Sequence, residues 1–285
     1  MVRLYRLVLS GLLAAAGSQA AAAAGLLEVY RQAADSDPQL KAARADLLAV
    51  REAGPQARAL YLPNVNASAE EDYNFNLHSP GPNDPNFQDN SISVSLSQPI
   101  YRRGALVQIR QAESVVERAE ADYLVAEQDL ILRVAQAYFN VLSAADTLGF
   151  REAENDAISR QLDQAQRRFE VGLITITDVH EAQARFDLSE SDVIAAQNDL
   201  ADAREALREI TGQYYESLAR LTDRMPLRLP DPSNPDVWAE QALTANPQLI
   251  SAAFGVEVAR ENIEFQRSGH YPTLDVVAGY FNTDT

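Results

Sequence analysis

The 285-residue sequence contains no cysteine. That excludes disulfide bridges, thiolate metal sites, a cysteine nucleophile and a lipoprotein cysteine, so any membrane anchoring must come from the polypeptide itself. Beyond the N-terminal stretch no segment approaches the ~20 apolar residues that a spanning helix needs, which leaves β-strands or a surface helix as routes into a bilayer. Positive charge is scarce: 24 Lys and Arg face 41 Asp and Glu, a formal charge of −17. Such a balance argues against a basic surface for nucleic acid or anionic headgroups. Catalytic patterns are missing as well. No Gly-rich phosphate loop appears, and His180 lacks the i, i+4 His partner of a zinc helix, with Asp178 and Glu181 facing other ways. His78 and His270 have no neighbouring nucleophile in a recognisable elbow. Neither catalysis, nor a metal, nor any other cofactor is indicated.

What is present begins with Arg3 and Arg6, an apolar run from Leu7 to Ala16, and small residues from Ser18 to Ala24 that offer several A-x-A cleavage sites. Residues 1–24 read as a secretory signal peptide, because the apolar core is about half the length of a spanning helix. Further along, Asp37-Pro38-Gln39-Leu40 recurs as Asn246-Pro247-Gln248-Leu249, an ungapped offset of 209 residues. At the same offset Arg51-Glu52 meets Arg260-Glu261, Pro63 meets Pro272 and Val65 meets Leu274. A capped helix leading into an X-Pro break is thus written twice. The expectation is a first repeat over 25–210, a connecting region over 211–246 and the opening of a second repeat over 247–285. Continuation past Thr285 is expected to supply another hairpin and two more long helices, and the present chain alone is expected to form no conducting trimer.

After Pro63, odd positions carry Val65, Ala67, Ala69, Tyr73, Phe75 and Leu77, while even positions carry Asn, Ser, Glu and Asp; only Glu71 breaks the alternation. A polar connection from His78 to Asn90 precedes Ile92, Val94, Leu96 and Ile100, interleaved with Ser91, Ser93, Ser95 and Ser97. The spacing predicts a β-hairpin at about 64–100 with an apolar face of Val65, Ala67, Tyr73, Phe75, Ile92, Val94 and Leu96. A membrane strand needs about 9 to 11 tilted residues with one face on lipid and the other on water, and both runs satisfy this. A half-buried soluble hairpin has the same period. Leu274, Val276, Ala278 and Tyr280 repeat the pattern in the second copy. Four strands per complete protomer would fall short of the about eight that close the smallest membrane barrels, so several protomers must share one barrel.

From about 104 to 170 the apolar residues step by three and four through Val116, Ala119, Tyr123, Ala126 and Leu130, then Val134, Ala137, Val141, Ala144 and Leu148, and on to Ile158, Leu162, Ala165 and Phe169. There is one stutter, Leu130 to Val134. At ~1.5 Å per residue this helix would be near 100 Å long, too long to fold back on one compact core. A break at Val171-Gly172-Leu173 precedes a second helix, about 177–211, about half as long, with seam residues from Val179 to Ile210. A shorter helix runs from Pro38 to Leu60. The fold class that results is mainly α with transmembrane β: long coiled-coil hairpins joined to barrel hairpins shared between subunits.

Several runs resemble the TolC-like outer-membrane factor family: Ala137-Tyr138-Phe139-Asn140-Val141-Leu142, Arg168-Phe169-Glu170-Val171-Gly172-Leu173, Ile176-Thr177-Asp178-Val179, Ile210-Thr211-Gly212 with Tyr214-Tyr215, and Gly269-His270-Tyr271-Pro272-Thr273-Leu274. The resemblance covers essentially the whole mature chain. It implies a homotrimer sharing a twelve-stranded barrel in outer-membrane lipid, a periplasmic helical tunnel, and an equatorial region near Thr211 to Asn246. It further implies docking to a periplasmic adaptor and an inner-membrane transporter, in drug efflux or type I secretion. Thr177 and Asp178 match the family's aperture-closing positions, whose partners belong to a second-repeat hairpin that this sequence does not contain. Val171, Gly172 and Leu173 match the tip that meets the adaptor. The competing reading is a periplasmic coiled-coil adaptor or scaffold, which should lack both the serine-faced strands and the 209-residue repeat.

Overall fold

The computed structural model describes residues 23–74, 87–221 and 229–284. Most of the expected signal peptide, Phe75, Leu77, His78 and the polar connection up to residue 86 lie outside the described residues. In chain order the elements are α1 (Leu26–Ser36), α2 (Pro38–Arg51), α3 (Ala53–Ala59), β1 (Asn64–Asn74), β2 (Phe87–Tyr101), α4 (Arg103–Glu170), α5 (Ile176–Thr211), α6 (Pro235–Ala245), α7 (Pro247–Ser268) and β3 (Leu274–Asp284). The mainly helical architecture with few strands is the one the sequence implies. Three differences have local causes. The single helix expected over Pro38–Leu60 is split at Glu52, because Pro55 has no N–H and its ring crowds the carbonyl four residues back, at Arg51. Two helices, α1 and α6, lie in stretches where no helix was expected. Adding 209 to the bounds of α1 gives 235–245, the bounds of α6, and adding it to Pro38 gives the first residue of α7.

Two compact units emerge. One draws on residues up to Pro38 and from Gln128 onward; the other draws on Gln39–Glu127 and the chain from Leu229. Helix α4 contributes to both.

In the first unit α1 packs on α5, burying Val29 and Ala33, which are four apart and therefore on one side of the helix. Leu130, Val134, Tyr138, Val141 and Leu162 of α4 and Ala196, Leu200 and Leu207 of α5 complete the core. Both residues of the stutter, Leu130 and Val134, are fully buried, so the four-residue step keeps the apolar stripe facing inward. At the end of α1, Asp37 is 2% exposed and accepts two hydrogen bonds from the Arg133 guanidinium, at 3.0 and 2.8 Å; Arg133 also donates from Nε to Asp129 at 2.8 Å. These carboxylates hold the Arg133 guanidinium above its ordinary pKa, with the Asp37 hydrogen bonds the largest cause. Farther along, Asn155 donates to the buried Ser189 hydroxyl at 3.0 Å and Arg151 reaches Asp192 at 3.5 Å, tying α4 to α5.

In the second unit α2 and α7 run along α4. Arg51 binds Glu120 at 2.8 Å, Arg110 binds Glu261 through two bonds of 3.0 and 3.1 Å, and Ser251 donates to Asp122 at 2.6 Å. Gly104 makes a close approach necessary: a Cβ there would lie 3.0 Å from the Ser268 hydroxyl. The three strands form one antiparallel sheet in the order β1-β2-β3. Register pairs Val65 with Leu96, Ala67 with Val94 and Ala69 with Ile92, and on the other side of β2 it pairs Val94 with Tyr280 and Leu96 with Ala278.

Candidate functional site

Two features of the fold can meet something outside the chain. The first is the sheet. Because side chains alternate along a strand, the register collects Val65, Ala67, Ala69, Ile92, Val94, Leu96, Val276, Ala278 and Tyr280 on one face. That face is open: Val65 is 65% exposed, Ile92 54%, Val276 56% and Tyr280 66%. The alternate residues Ser91, Ser93, Ser95 and Ser97 are only half-exposed, and Ser93 shares a 2.8 Å hydrogen bond with Ser68 across the strands. On this second face Asn66 and Ser68 of β1 and Val277 and Phe281 of β3 are exposed, so the covering is confined to the central strand, whereas a soluble half-buried hairpin covers its apolar face. Glu71, the break in the alternation, has its carboxylate engaged by the Tyr73 hydroxyl at 2.7 Å. Tyr73 is exposed like the other described members of the expected strand face, while Phe75 lies outside the described residues.

The second feature is the turn between α4 and α5. Val171, Gly172 and Leu173 form it. Gly172 has φ +75, a conformation that costs any side-chain-bearing residue strain, and its N–H donates to the Phe169 carbonyl at 2.8 Å while that of Leu173 donates to Arg168 at 2.9 Å. These two bonds satisfy carbonyls that the end of α4 would otherwise leave without partners. The stop leaves Val171 and Leu173 pointing outward, 69% and 68% exposed.

Helix α5 starts one residue earlier than expected, and its cap is Thr175. The Asp178 N–H donates to the Thr175 hydroxyl at 3.4 Å; the Thr175 N–H donates to the Asp178 carboxylate at 2.8 Å, as does its hydroxyl at 2.8 Å. This is a reciprocal capping box, and its signature, Thr-x-x-Asp over residues 175–178, is legible in the sequence although Thr177 drew the attention there. Thr177 sits within the first turn, exposed and outside the box. The backbone N–H of Thr175, then its hydroxyl, and the nearby positive charge of Arg168 hold the Asp178 carboxyl below its ordinary pKa. All five expected tip and aperture residues therefore lie at the one α4–α5 junction, together with Arg168 and with Thr175, a member that the sequence reading passed over. Among the described residues no cluster of His, Asp and Glu could hold a metal ion, and no helix is long and apolar enough to cross a membrane.

Residues 29–213 match the family model described as outer membrane efflux protein. The outer membrane protein TolC of Vibrio cholerae is 41% identical over 263 residues, 92% of this chain and 59% of that protein. The alkaline protease secretion protein AprF of Pseudomonas aeruginosa is 30% identical over 268 residues, 90% of this chain and 55% of that protein. Among solved structures, the CmeC outer membrane channel of Campylobacter jejuni superposes with a TM-score of 0.74 at 16% identity, over 91% of this chain and 60% of that one. The chain thus spans less than three fifths of the length of these two relatives. They are named for membrane location and secretion rather than for an enzymatic activity, and none of the three supports the adaptor reading. With a family model matched through α1, α4 and α5 alike, the chain belongs to the outer membrane efflux protein family.

Proposed function

We propose that this chain builds part of an outer-membrane exit duct, through which material handed over by a periplasmic adaptor and an inner-membrane transporter leaves the cell passively. The observation that carries the proposal is the open apolar face, exposed on all three strands and backed by the serine-rich face of β2. The apolar face, Val65 through Leu96 with Tyr73, is the lipid contact, and the serine face looks into an aqueous lumen. Strands β1 and β3, eleven residues each, are long enough to cross the hydrocarbon layer when tilted. Each pairs on one side only within this chain, and an open edge in lipid is not tolerated, so copies must close the barrel together. A homotrimer follows from the family resemblance. The helices agree with subunit contacts: Leu132, Phe150, Leu188 and Ile194 are 69%, 76%, 66% and 54% exposed, apolar area that neighbouring helices would cover.

The recurrence of α1–α2 as α6–α7 at an offset of 209 supports two structural repeats, the first over 25–210 and the second opening at α6, ahead of the expected 247. Val171, Gly172 and Leu173 form the contact for the adaptor, and Thr177 and Asp178 contribute to closing the periplasmic aperture. A family model described by efflux and a relative named for protease secretion support both tripartite efflux and type I secretion as settings. The test is expression of the full-length gene product with fractionation of the envelope. Recovery in the outer membrane as a trimer supports the proposal; a free periplasmic product overturns it.

A further inference from the structure

The N-terminal small-residue stretch offers a processing peptidase more than one bond, and the fold discriminates among them. We infer that the leader is removed upstream of Ala24, after Ala20, Ala22 or Ala23, so that Ala24 remains in the mature chain; this rests on the reading of the protein as exported. Within residues 20–24, a peptidase that requires small residues at positions −1 and −3 accepts the bonds after Ala20 (with Ser18 at −3), Ala22 (Ala20), Ala23 (Ala21) and Ala24 (Ala22), while Gln19 at −3 disfavours the bond after Ala21. Sequence alone leaves the last of the four open.

Two independent features of the fold close it. Ala24 is an interior structural residue, 7% exposed, and forms a parallel bridge with Leu218. Its N–H donates to the Ser217 carbonyl at 3.3 Å, and its own carbonyl accepts from the Ala219 N–H at 3.0 Å and from the Tyr138 hydroxyl at 3.3 Å. Tyr138, 3% exposed, also reaches the Ala219 carbonyl at 2.6 Å, so α4, the N-terminal segment and the 217–219 segment meet at this one residue. Cleavage after Ala24 would strip partners from the Ser217 carbonyl and the Ala219 N–H, and buried backbone groups without partners are disfavoured. Gly25, moreover, is the N-cap of α1, with its carbonyl accepting from Glu28 and Val29 at 3.0 Å each. A cut before Gly25 would place a free ammonium on the positive end of that helix, where cations are disfavoured. Cuts farther upstream keep the charge off the cap. The reaction is a hydrolysis: the C–N bond after the −1 alanine breaks, water gives its hydroxyl to the acyl carbon, and the resulting carboxylic acid and amine become carboxylate and ammonium.

The test uses the full-length gene with its own leader in a Gram-negative host, followed by N-terminal sequencing and intact mass of the outer-membrane product. A first residue of Ala21, Ala23 or Ala24 supports the inference. A first residue of Gly25 or later overturns it while leaving the export reading intact, whereas a stable product that keeps Met1 overturns the export reading and the inference with it. The double variant Ala20→Leu with Ala21→Leu removes the bonds after Ala20, Ala22 and Ala23 and keeps the one after Ala24, and the product that begins at Gly25 is the one compared. That product should be several-fold more sensitive to protease than wild type, and equal resistance would show that Ala24 does not hold the segment in place.

Discussion

At the scale of single residues, the ion pair of Asp37 with Arg133 and the capping box of Thr175 with Asp178 make opposite demands on solvent. Asp37 is almost wholly buried, and its removal would leave Arg133, itself three-quarters covered, with only Asp129. Breaking such a pair costs roughly 3–5 kcal/mol, and Asp37→Ala should fall near the lower figure because Asp129 stays in reach; chemical denaturation of the purified protein measures it. Thr175→Ala removes an N-cap, worth about 1 kcal/mol, and hydrogen exchange of the first-turn amides of α5 is the sensitive readout. The box also fixes a pH response. With the Asp178 carboxyl lower in the folded protein than in the unfolded chain, its contribution is full above the ordinary aspartate value of about 4 and fades as pH falls through the folded value. First-turn protection should therefore drop in acid, and Asp178→Asn should flatten that drop. None of the long-range partners could be read in advance: Asp37 and Arg133 lie 96 residues apart, and nothing in either's neighbourhood names the other. The capping box was readable, since its two members are three residues apart, but Thr177 with Asp178 resembles a helix start equally well until the turn at Gly172 fixes where α5 begins.

At the scale of elements, each helix or strand was legible to the extent that its own residues define it. Proline at 38 and 247, glycine at 172 and 212 and the strict alternation after Pro63 mark boundaries that the structure keeps. Helix α1 was readable, since Leu26, Val29, Tyr30 and Ala33 recur at helical spacing, while the Pro55 break was hidden in an otherwise helical run. Pairing of β3 with β2 joins strands far apart in sequence and depends on the fold of the unit that carries both. At the hairpin end, Gly172→Ala should cost about 1 kcal/mol from the left-handed backbone, read as earlier fraying of α4 in hydrogen exchange. On the sheet the two faces should respond unequally. Val94→Arg puts a cation on the proposed lipid face, at about 2–4 kcal/mol near the bilayer midplane, and should reduce the outer-membrane trimer; Ser93→Arg on the opposite face should leave trimer yield nearly unchanged. Quantitative fractionation of both variants checks the pair together.

For the molecule as a whole, the exposed apolar sheet face, the one-sided strand edges and the uncovered helix residues Leu132, Phe150, Leu188 and Ile194 all call for surroundings that a lone chain in water does not supply. In the proposed duct, lipid answers the first and further copies answer the other two. The charge of −17 adds an expectation for conduction, because a lumen lined by acidic groups favours cations and does so less as salt screens them. The most direct measurement is planar-bilayer conductance of the full-length gene product extracted from the outer membrane. Small, cation-selective single-channel currents whose selectivity weakens at high salt are the expected result. Failure of that product to insert, or its recovery as a free periplasmic protein, would contradict the assignment as an exit duct.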